Sequence, residues 1–365
     1  MDENQTLQFN GTDFTNFISF VKSMGSRDKS KTSRLALLHI ENDKLICRAT
    51  DDTSSFIEYS VDLYNTNSSI TDFLAIPISD LSALIKCSNN DIFTIRKQFN
   101  QYEFNVIGNG WLPFKTVEAD PNKFTVSGSE TKIGNISSNK LRNAISSVLG
   151  YTQDYTYTRD RYIQFSKTQM IVTSRLSSVV MKDDFIEMTL HRDDAAMIKS
   201  LLKDNFDLEV YKVESAVERI MFIGPKFKFT IVASGIDLAN ISYVDDINEF
   251  VTIDCDELYK LVLFAEEYSA SKHIVGLSVK DGKLRANVKN VLAAKHISTI
   301  RSTSVGSVAD SREAEVPAHN LLKALKLFQD KRSRNVNIYI TDSLLDTQKS
   351  IILFDNNTQA NINIR

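Results

Sequence analysis

The chain has 365 residues, 42% hydrophobic and 24% charged, with a formal net charge of −3. That composition fits a soluble globular protein of two or three domains, and it excludes one that grips nucleic acid over its whole surface while leaving room for a local basic face. Low glycine and proline counts (12 and 5) disfavour disordered or collagen-like chains, no apolar run reaches membrane-spanning length, and Met1-Asp2-Glu3-Asn4 does not read as a signal peptide.

Six βαβββ units are predicted in succession. The first has strand Thr6–Phe9, helix Thr12–Met24 and strands Leu35–Ile40, Lys44–Ala49 and Phe56–Val61. The second has strand Phe73–Ile76, helix Ser79–Cys87 and strands Ile92–Arg96, Tyr102–Ile107 and Trp111–Val117. The third runs from strand Thr131–Ile136 through helix Ser138–Leu149 to strands Tyr162–Ser166, Met170–Ser174 and Ser177–Lys182. The fourth has strand Phe185–Leu190, helix Asp193–Leu202 and strands Asp207–Val213, Glu218–Ile223 and Phe227–Val232. The fifth has strand Phe250–Ile253, helix Asp256–Tyr268 and strands Ile274–Val279, Lys283–Val288 and Ala294–Ile300; the sixth begins at Ala314 and runs to the C-terminus. Strands are read from two-residue alternation, as in Asp207–Val213, and helices from apolar spacing such as Phe14, Phe17, Ile18, Val21.

Asn42-Asp43 and Asp281-Gly282 read as hairpin turns. Thr12, Ser79, Ser137 or Ser138, and Asp254 read as helix caps. Polar stretches Glu118–Ser129 and Asn240–Asn248 separate pairs of units, which predicts three rigidly juxtaposed α+β domains, residues 1–122, 123–247 and 248–365. A βαβββ unit has too small a core to stand alone, so its copies must pack into something larger. Helices turned the same way would line one face of each domain, with antiparallel sheets on the other.

No catalytic constellation stands out. The phosphate-binding Gly-Lys loop, the dinucleotide Gly pattern and His-Glu-x-x-His are absent. The histidines (His39, His191, His273, His296, His319) never pair at helical spacing, and lone ones are more often structural. Cys47, Cys87 and Cys255 lack metal spacing and fit a reducing cytoplasm. Thr50-Asp51-Asp52 and Arg192-Asp193-Asp194 read as turn and helix-start acids. An enzyme acting on nucleic acid is therefore the weaker class, and no cofactor or metal is expected.

Positive charge gathers on the helices. Lys22 and Arg27 lie at or beyond the end of the first, Lys86 ends the second, and Lys140 and Arg142 are on the third. Arg192, Lys199 and Lys203 share a face of the fourth, Lys260 is on the fifth, and Lys323, Lys326 and Lys331 belong to the sixth. Cations favour exposed helix faces and C-termini, which accounts for part of the pattern. That all six units show it in an acidic chain points to duplex phosphates, contacted without sequence readout.

The ordered set of segments resembles the bacterial-type DNA polymerase sliding clamp, the β subunit of the replicase. The resemblance spans essentially the whole chain and rests on CRATDDTSSFIEYSV (47–61), GNGWLPFKTVEADPNKF (108–124), DELYKLVLFAEEYSASKH (256–273), VPAHNLLKALKLF (316–328) and NVNIYITDSLLDTQ (335–348). Richness in Asn, Lys and Ser suggests a phage-encoded or AT-rich bacterial member. The family implies a non-catalytic, cytoplasmic, head-to-tail dimeric ring around double-stranded DNA, opened by a clamp loader, that tethers DNA polymerase. A clamp-like module recruiting transcription or repair proteins is the alternative.

The resemblance also implies site residues. The family's partner-peptide pocket maps onto Thr173, Arg175 and Leu176 on one side and Pro317, Asn320, Leu344, Ile362, Ile364 and Arg365 on the other. This chain departs from the family pattern there: Thr173-Ser174-Arg175-Leu176 lacks the usual Gly-His, Asn363 stands where Pro-Met is common, and the aromatic residue often near Asn320 is missing. Ile362 and Ile364 could otherwise be inward residues of an edge strand. Ring closure maps onto Trp111, Leu112 and Phe114 of one subunit and the neighbourhood of Glu267 and Tyr268 of the next. Alternation alone would make Leu112 and Phe114 core residues.

Overall fold

The computed structural model describes residues 5–24, 35–51, 55–64, 73–88, 91–98, 101–106, 110–152, 161–174, 177–238, 243–268, 273–280, 283–289, 295–299, 302–305, 312–330, 334–341 and 350–364. The first two βαβββ units are β1 (Gln5–Asn10), α1 (Gly11–Met24), β2 (Leu35–Glu41), β3 (Lys44–Thr50), β4 (Phe56–Asp62), then β5 (Leu74–Pro77), α2 (Ile78–Lys86), β6 (Ile92–Gln98), β7 (Gln101–Val106) and β8 (Gly110–Phe114). A 3-10 turn at Pro121–Phe124 leads to β9 (Ser129–Ser137), α3 (Ser138–Val148), β10 (Tyr162–Phe165), β11 (Gln169–Ser174) and β12 (Ser177–Lys182). Next come β13 (Met188–His191), α4 (Arg192–Leu201), β14 (Asp207–Glu214), β15 (Arg219–Ile223) and β16 (Phe227–Val232). The last two units are β17 (Phe250–Asp254), α5 (Cys255–Tyr268), β18 (Ile274–Lys280), β19 (Lys283–Lys289), β20 (Lys295–Thr299), β21 (Ser302–Val305), then β22 (Glu313–Pro317), α6 (Ala318–Asp330), β23 (Asn335–Ile340), β24 (Ser350–Phe354) and β25 (Thr358–Asn363). Among the described residues no helix is long and apolar enough to cross a membrane.

Periodicity explains most of these elements. In β4, Ile57, Tyr59 and Val61 point inward while Glu58 and Ser60 are half-exposed. In α1, Phe14, Phe17, Ile18 and Val21 are buried along one stripe. Asn42 and Asp43 both take positive φ, 49° and 59°, the left-handed geometry of a two-residue turn that matches sheet twist. The Asp281-Gly282 turn lies outside the described residues.

Two of the predicted caps are corrected, and of the pair Ser137 and Ser138 only Ser137 stands at the cap position, immediately before α3. Asn10, not Thr12, caps α1, accepting from the Asp13 N–H at 2.9 Å, because the helix starts one residue early. Helix α2 starts after Pro77, inside of which Ser79 bonds to neighbouring Asp80. Ser138 donates to the Asp204 carbonyl at 2.7 Å and accepts from the Phe206 N–H at 3.0 Å, tying two segments together rather than closing its own helix. Asp254 does cap α5, accepting from the Glu257 N–H at 3.1 Å. The strand expected from Phe185 begins at Met188, the one expected to Val117 ends at Phe114, and β21 was not anticipated.

The chain forms two compact units. One comprises Met1–Arg142 and Ala196–Ala233; it holds a sheet in the order β1-β6-β7-β8 and an eight-stranded sheet, β5-β2-β3-β4-β16-β15-β14-β9. Its core is aromatic: Phe9 meets Phe14 at 5.0 Å, and Phe93 meets Phe104 at 5.2 Å. The other comprises Asn143–Ala195 and Ser234–Arg365; it holds a nine-stranded sheet, β13-β10-β11-β12-β25-β24-β23-β17-β21, and a sheet β20-β19-β18-β22. There α5 packs on α6, burying Leu258, Val262, Leu321, Leu325 and Phe328. The named strand pairs are all antiparallel.

In each large sheet one pairing, here called the seam, joins the neighbouring strands farthest apart in sequence. β4 pairs with β16 from Phe56↔Thr230 to Tyr59↔Phe227. β12 pairs with β25 from Ser177↔Ile362 to Met181↔Thr358. These pairings make continuous sheet where the sequence offers only polar stretches.

Candidate functional site

Three groups of residues were singled out, and they sit in different settings. The helix cations come first. Lys22, Lys86 and Lys199 occupy the last turns of α1, α2 and α4, where the helix dipole favours positive charge. Lys22, Lys86, Lys260 and Lys326 are exposed, while Lys140, Arg192 and Lys199 are half-buried. Lys203 lies past the end of α4, not on it; its ammonium donates to Oδ1 of Asn16 on α1 at 3.1 Å. Burial lowers the pKa of Lys323. Arg142 has a capping geometry: its guanidinium donates to the carbonyls of Leu202 and Lys203 at 3.3 and 3.0 Å, satisfying acceptors left open where α4 ends. Arg27 and Lys331 lie outside the described residues.

The second group surrounds the C-terminal strand. β25 is interior, flanked by β12 and β24, so the edge-strand reading of the tail is corrected. Ile362 is fully buried, opposite Ser177 on one side and Ile351 on the other. Thr173 pairs with Ser178 across the hairpin that supplies β12, and the hydroxyls of Ser174 and Ser177 lie 2.6 Å apart. Helix α6 packs against β25. In its first turn, Asn320 is 7% exposed, and its Nδ2 has no hydrogen-bond partner among the described residues. An unpaired buried amide donor is costly, and a carbonyl from a bound ligand would relieve it. Pro317 ends β22 opposite Ile274, and Ile364 is half-buried just past β25. Arg175, Leu176, Leu344 and Arg365 lie outside the described residues.

The third group is an edge. β8 ends its sheet, with a partner strand on one side only. Alternation puts Leu112 and Phe114 on one face of β8, but Leu112 is 40% exposed and only Phe114 is buried, so the expectation that both are core residues is corrected at Leu112. The Arg96 guanidinium lies 4.0 Å over the Trp111 ring and pairs with Glu103 at 2.5 Å, which holds the indole in place. Glu267 is exposed near the end of α5; Tyr268 is that helix's last residue. One turn earlier Phe264 is 42% exposed, an outward apolar residue that sequence reasoning missed because its helix already had a full apolar stripe.

Sequence reasoning also missed Lys226, in the turn before β16. Its ammonium contacts Asp13 at 2.5 Å and Asp62 at 3.2 Å. Burial works against the charged form, but the hydrogen bonds that the ammonium donates to the two carboxylates, with their charge, outweigh it and the pKa is raised. The partners are remote in sequence, so no local signal could have joined them. Among the described residues no group of three or more His, Cys, Asp and Glu side chains gathers as a metal site.

No protein-family model and no curated protein matches the sequence. Solved structures match over their full length. The DNA polymerase III β subunit of Borrelia burgdorferi is 12% identical with a TM-score of 0.78, covering 100% of this chain and 99% of that one. The DNA polymerase sliding clamp of Pseudomonas aeruginosa is 15% identical with a TM-score of 0.78, covering 99% of each. The DNA polymerase III β chain of Streptococcus pneumoniae is 13% identical, also at 0.78 and 99% of each. The chain thus has the three-domain α+β fold of the bacterial DNA polymerase III β subunit.

Proposed function

We propose that the chain is a DNA sliding clamp, a processivity factor with no chemistry of its own that encircles duplex DNA as a head-to-tail homodimer. The observation that carries this reading is the likeness to β subunits over 99–100% of both chains. The three domains are residues 1–122, 123–247 and 248–365, and the seams β4–β16 and β12–β25 then join successive domains. Lysines at helix ends make weak, salt-screened phosphate contacts, which suit a ring that holds DNA by topology and must slide. DNA polymerase and a clamp loader are its partners, in the cytoplasm of a bacterial or phage-infected cell.

The exposed edge of β8, with Leu112 and Trp111, closes the ring against the region of Phe264, Glu267 and Tyr268 in a second subunit. The partner peptide binds beside β25 and α6, where Asn320 supplies an amide donor to its backbone. Deleting residues 362–365 is a poor test of that pocket, because Ile362 belongs to an interior strand; Ile364→Ala is the cleaner one. It should reduce polymerase stimulation while leaving ring mass unchanged.

Retention on DNA is the decisive test. Loaded protein should stay on nicked circular DNA and run off after linearisation. Doubly substituted Lys199→Glu/Lys203→Glu protein should be retained less well and fold normally. Equal loss from circular and linear DNA would remove the topological reading.

A further inference from the structure

The unit formed by Met1–Arg142 and Ala196–Ala233 contains a cavity of about 400 Å³ that shares only Lys203 with the sites above. One wall is a face of α1, where Asn16, Ser19 and Ser23 follow at helical spacing. The floor is aromatic, made by Phe20, Tyr59, Phe206 and Phe227. Edge-on contacts fix the rings: Phe20 lies 5.3 Å from Phe229, and Phe206 lies 6.0 Å from Phe227. Burial, with help from Asp13, pushes the Tyr59 phenol up to about 12, so it remains a neutral hydroxyl.

The charges at the rim differ in how far they are compensated. Lys226 is neutralised by Asp13 and Asp62. Lys203 is exposed and bonds only to the neutral amide of Asn16; among the described residues it has no ion pair. Asp204 stands at the same rim, exposed. A long polyanion meets that carboxylate, whereas a single acid can sit at Lys203 beside apolar groups.

We propose that this cavity docks a short segment of a partner protein, which inserts one or two apolar side chains against the aromatic floor and sets one acidic group beside Lys203. Pre-formed pockets of this size, mostly apolar with a few fixed polar groups, are the usual form of a binding site. The apolar anchors supply the affinity and the single cation the register. The site is built from other elements than the β25 and α6 region, and it stands whether or not the chain encircles DNA.

The test uses the full-length chain and a fluorescein-labelled acetyl-Leu-Phe-Asp amide, followed by anisotropy. Ser19→Trp fills the cavity from an exposed helix position and leaves the floor and lysines in place. It should weaken binding at least about tenfold, with an unchanged melting curve. Lys203→Glu should weaken the Asp probe about fivefold and leave the matching Asn probe unaffected. The proposal is overturned by no saturable binding up to about 1 mM, by equal binding to Ser19→Trp, or by equal effects of Lys203→Glu on both probes. Displacement of the Asn probe, which does not use Lys203, by hexathymidylate also overturns it, because the aromatic floor then takes nucleotides. DNA retention by Ser19→Trp separates this outcome from the ring: loss of peptide with normal retention supports the site.

Discussion

The two seams solve one problem with different polar chemistry. At β4–β16 the dressing is ionic. Lys226 reaches Asp13 and Asp62, Lys228 lies 3.6 Å from Glu58, Glu58 takes Arg48 at 2.8 Å, and Arg219 covers the Phe56 ring at 4.9 Å. At β12–β25 it is mostly neutral. Gln359, fully buried, accepts from the Val244 N–H at 2.7 Å and donates to Asn361 at 3.0 Å. Tyr243 donates to the Asp355 carbonyl at 2.5 Å, and Lys182 pairs with Asp245. What the seams share is an antiparallel ladder and fully buried apolar residues: Phe229 in one, Val179, Ala360 and Ile362 in the other. The lysines of the ionic seam are open to solvent, 41% at Lys226 and 55% at Lys228, which limits what their pairs contribute, so the shared features should carry most of the stability.

The largest expected effect is therefore at Phe229. Phe229→Ala removes a buried ring packed on Phe20 and should cost about 4 kcal/mol. Amide hydrogen exchange should show the loss in β4 and β16 while the nine-stranded sheet keeps its protection. Ile362→Ala should do the converse, costing about 3 kcal/mol with the loss in β12, β24 and β25. Equal loss in both large sheets after either substitution would break the comparison, since each seam would then answer for the whole chain. Gln359→Ala leaves the Val244 N–H without its acceptor and should cost about 1–2 kcal/mol by chemical denaturation, a neutral-seam effect exceeding that of any single ion pair at the other seam.

Most elements were legible because period 2 and period 3.6 are written into single segments, as in Phe56–Asp62 and Gly11–Met24. The seams were not, since alternation says that Phe229 and Ile57 point inward but not that they face each other across two distant strands. Caps failed for a related reason: Thr12 and Ser79 have the right chemistry, but competing residues one or two positions earlier set the helix start. At the candidate sites, residue types were readable and their surroundings were not. Arg142 reads as one more helix cation until the carbonyls of Leu202 and Lys203 are seen against it. The aromatic floor of the cavity draws Phe20, Tyr59, Phe206 and Phe227 from separate segments, each of which looks like ordinary core on its own.

The smallest effect isolates the ionic dressing itself. Lys226 has its pKa raised in the folded chain, so it binds its proton more tightly there than when unfolded. Its contribution is then fully present below the unfolded lysine value of about 10.4 and is lost as pH rises through the raised folded value. Tyr59, held near 12, stays neutral through the start of that window and does not mask it. Lys226 is 41% exposed, so solvent screening limits the contribution to about 0.5 kcal/mol. The stability difference between the natural chain and Lys226→Met should therefore be small and constant from pH 8 to about 10, then shrink toward zero near pH 12. It should shrink in the same way at pH 8 in about 1 M salt. A difference that grew with pH would mean that Lys226 is tolerated as a charge and not stabilised as one, and the β4–β16 seam would then owe nothing to the pairs that Lys226 makes with Asp13 and Asp62.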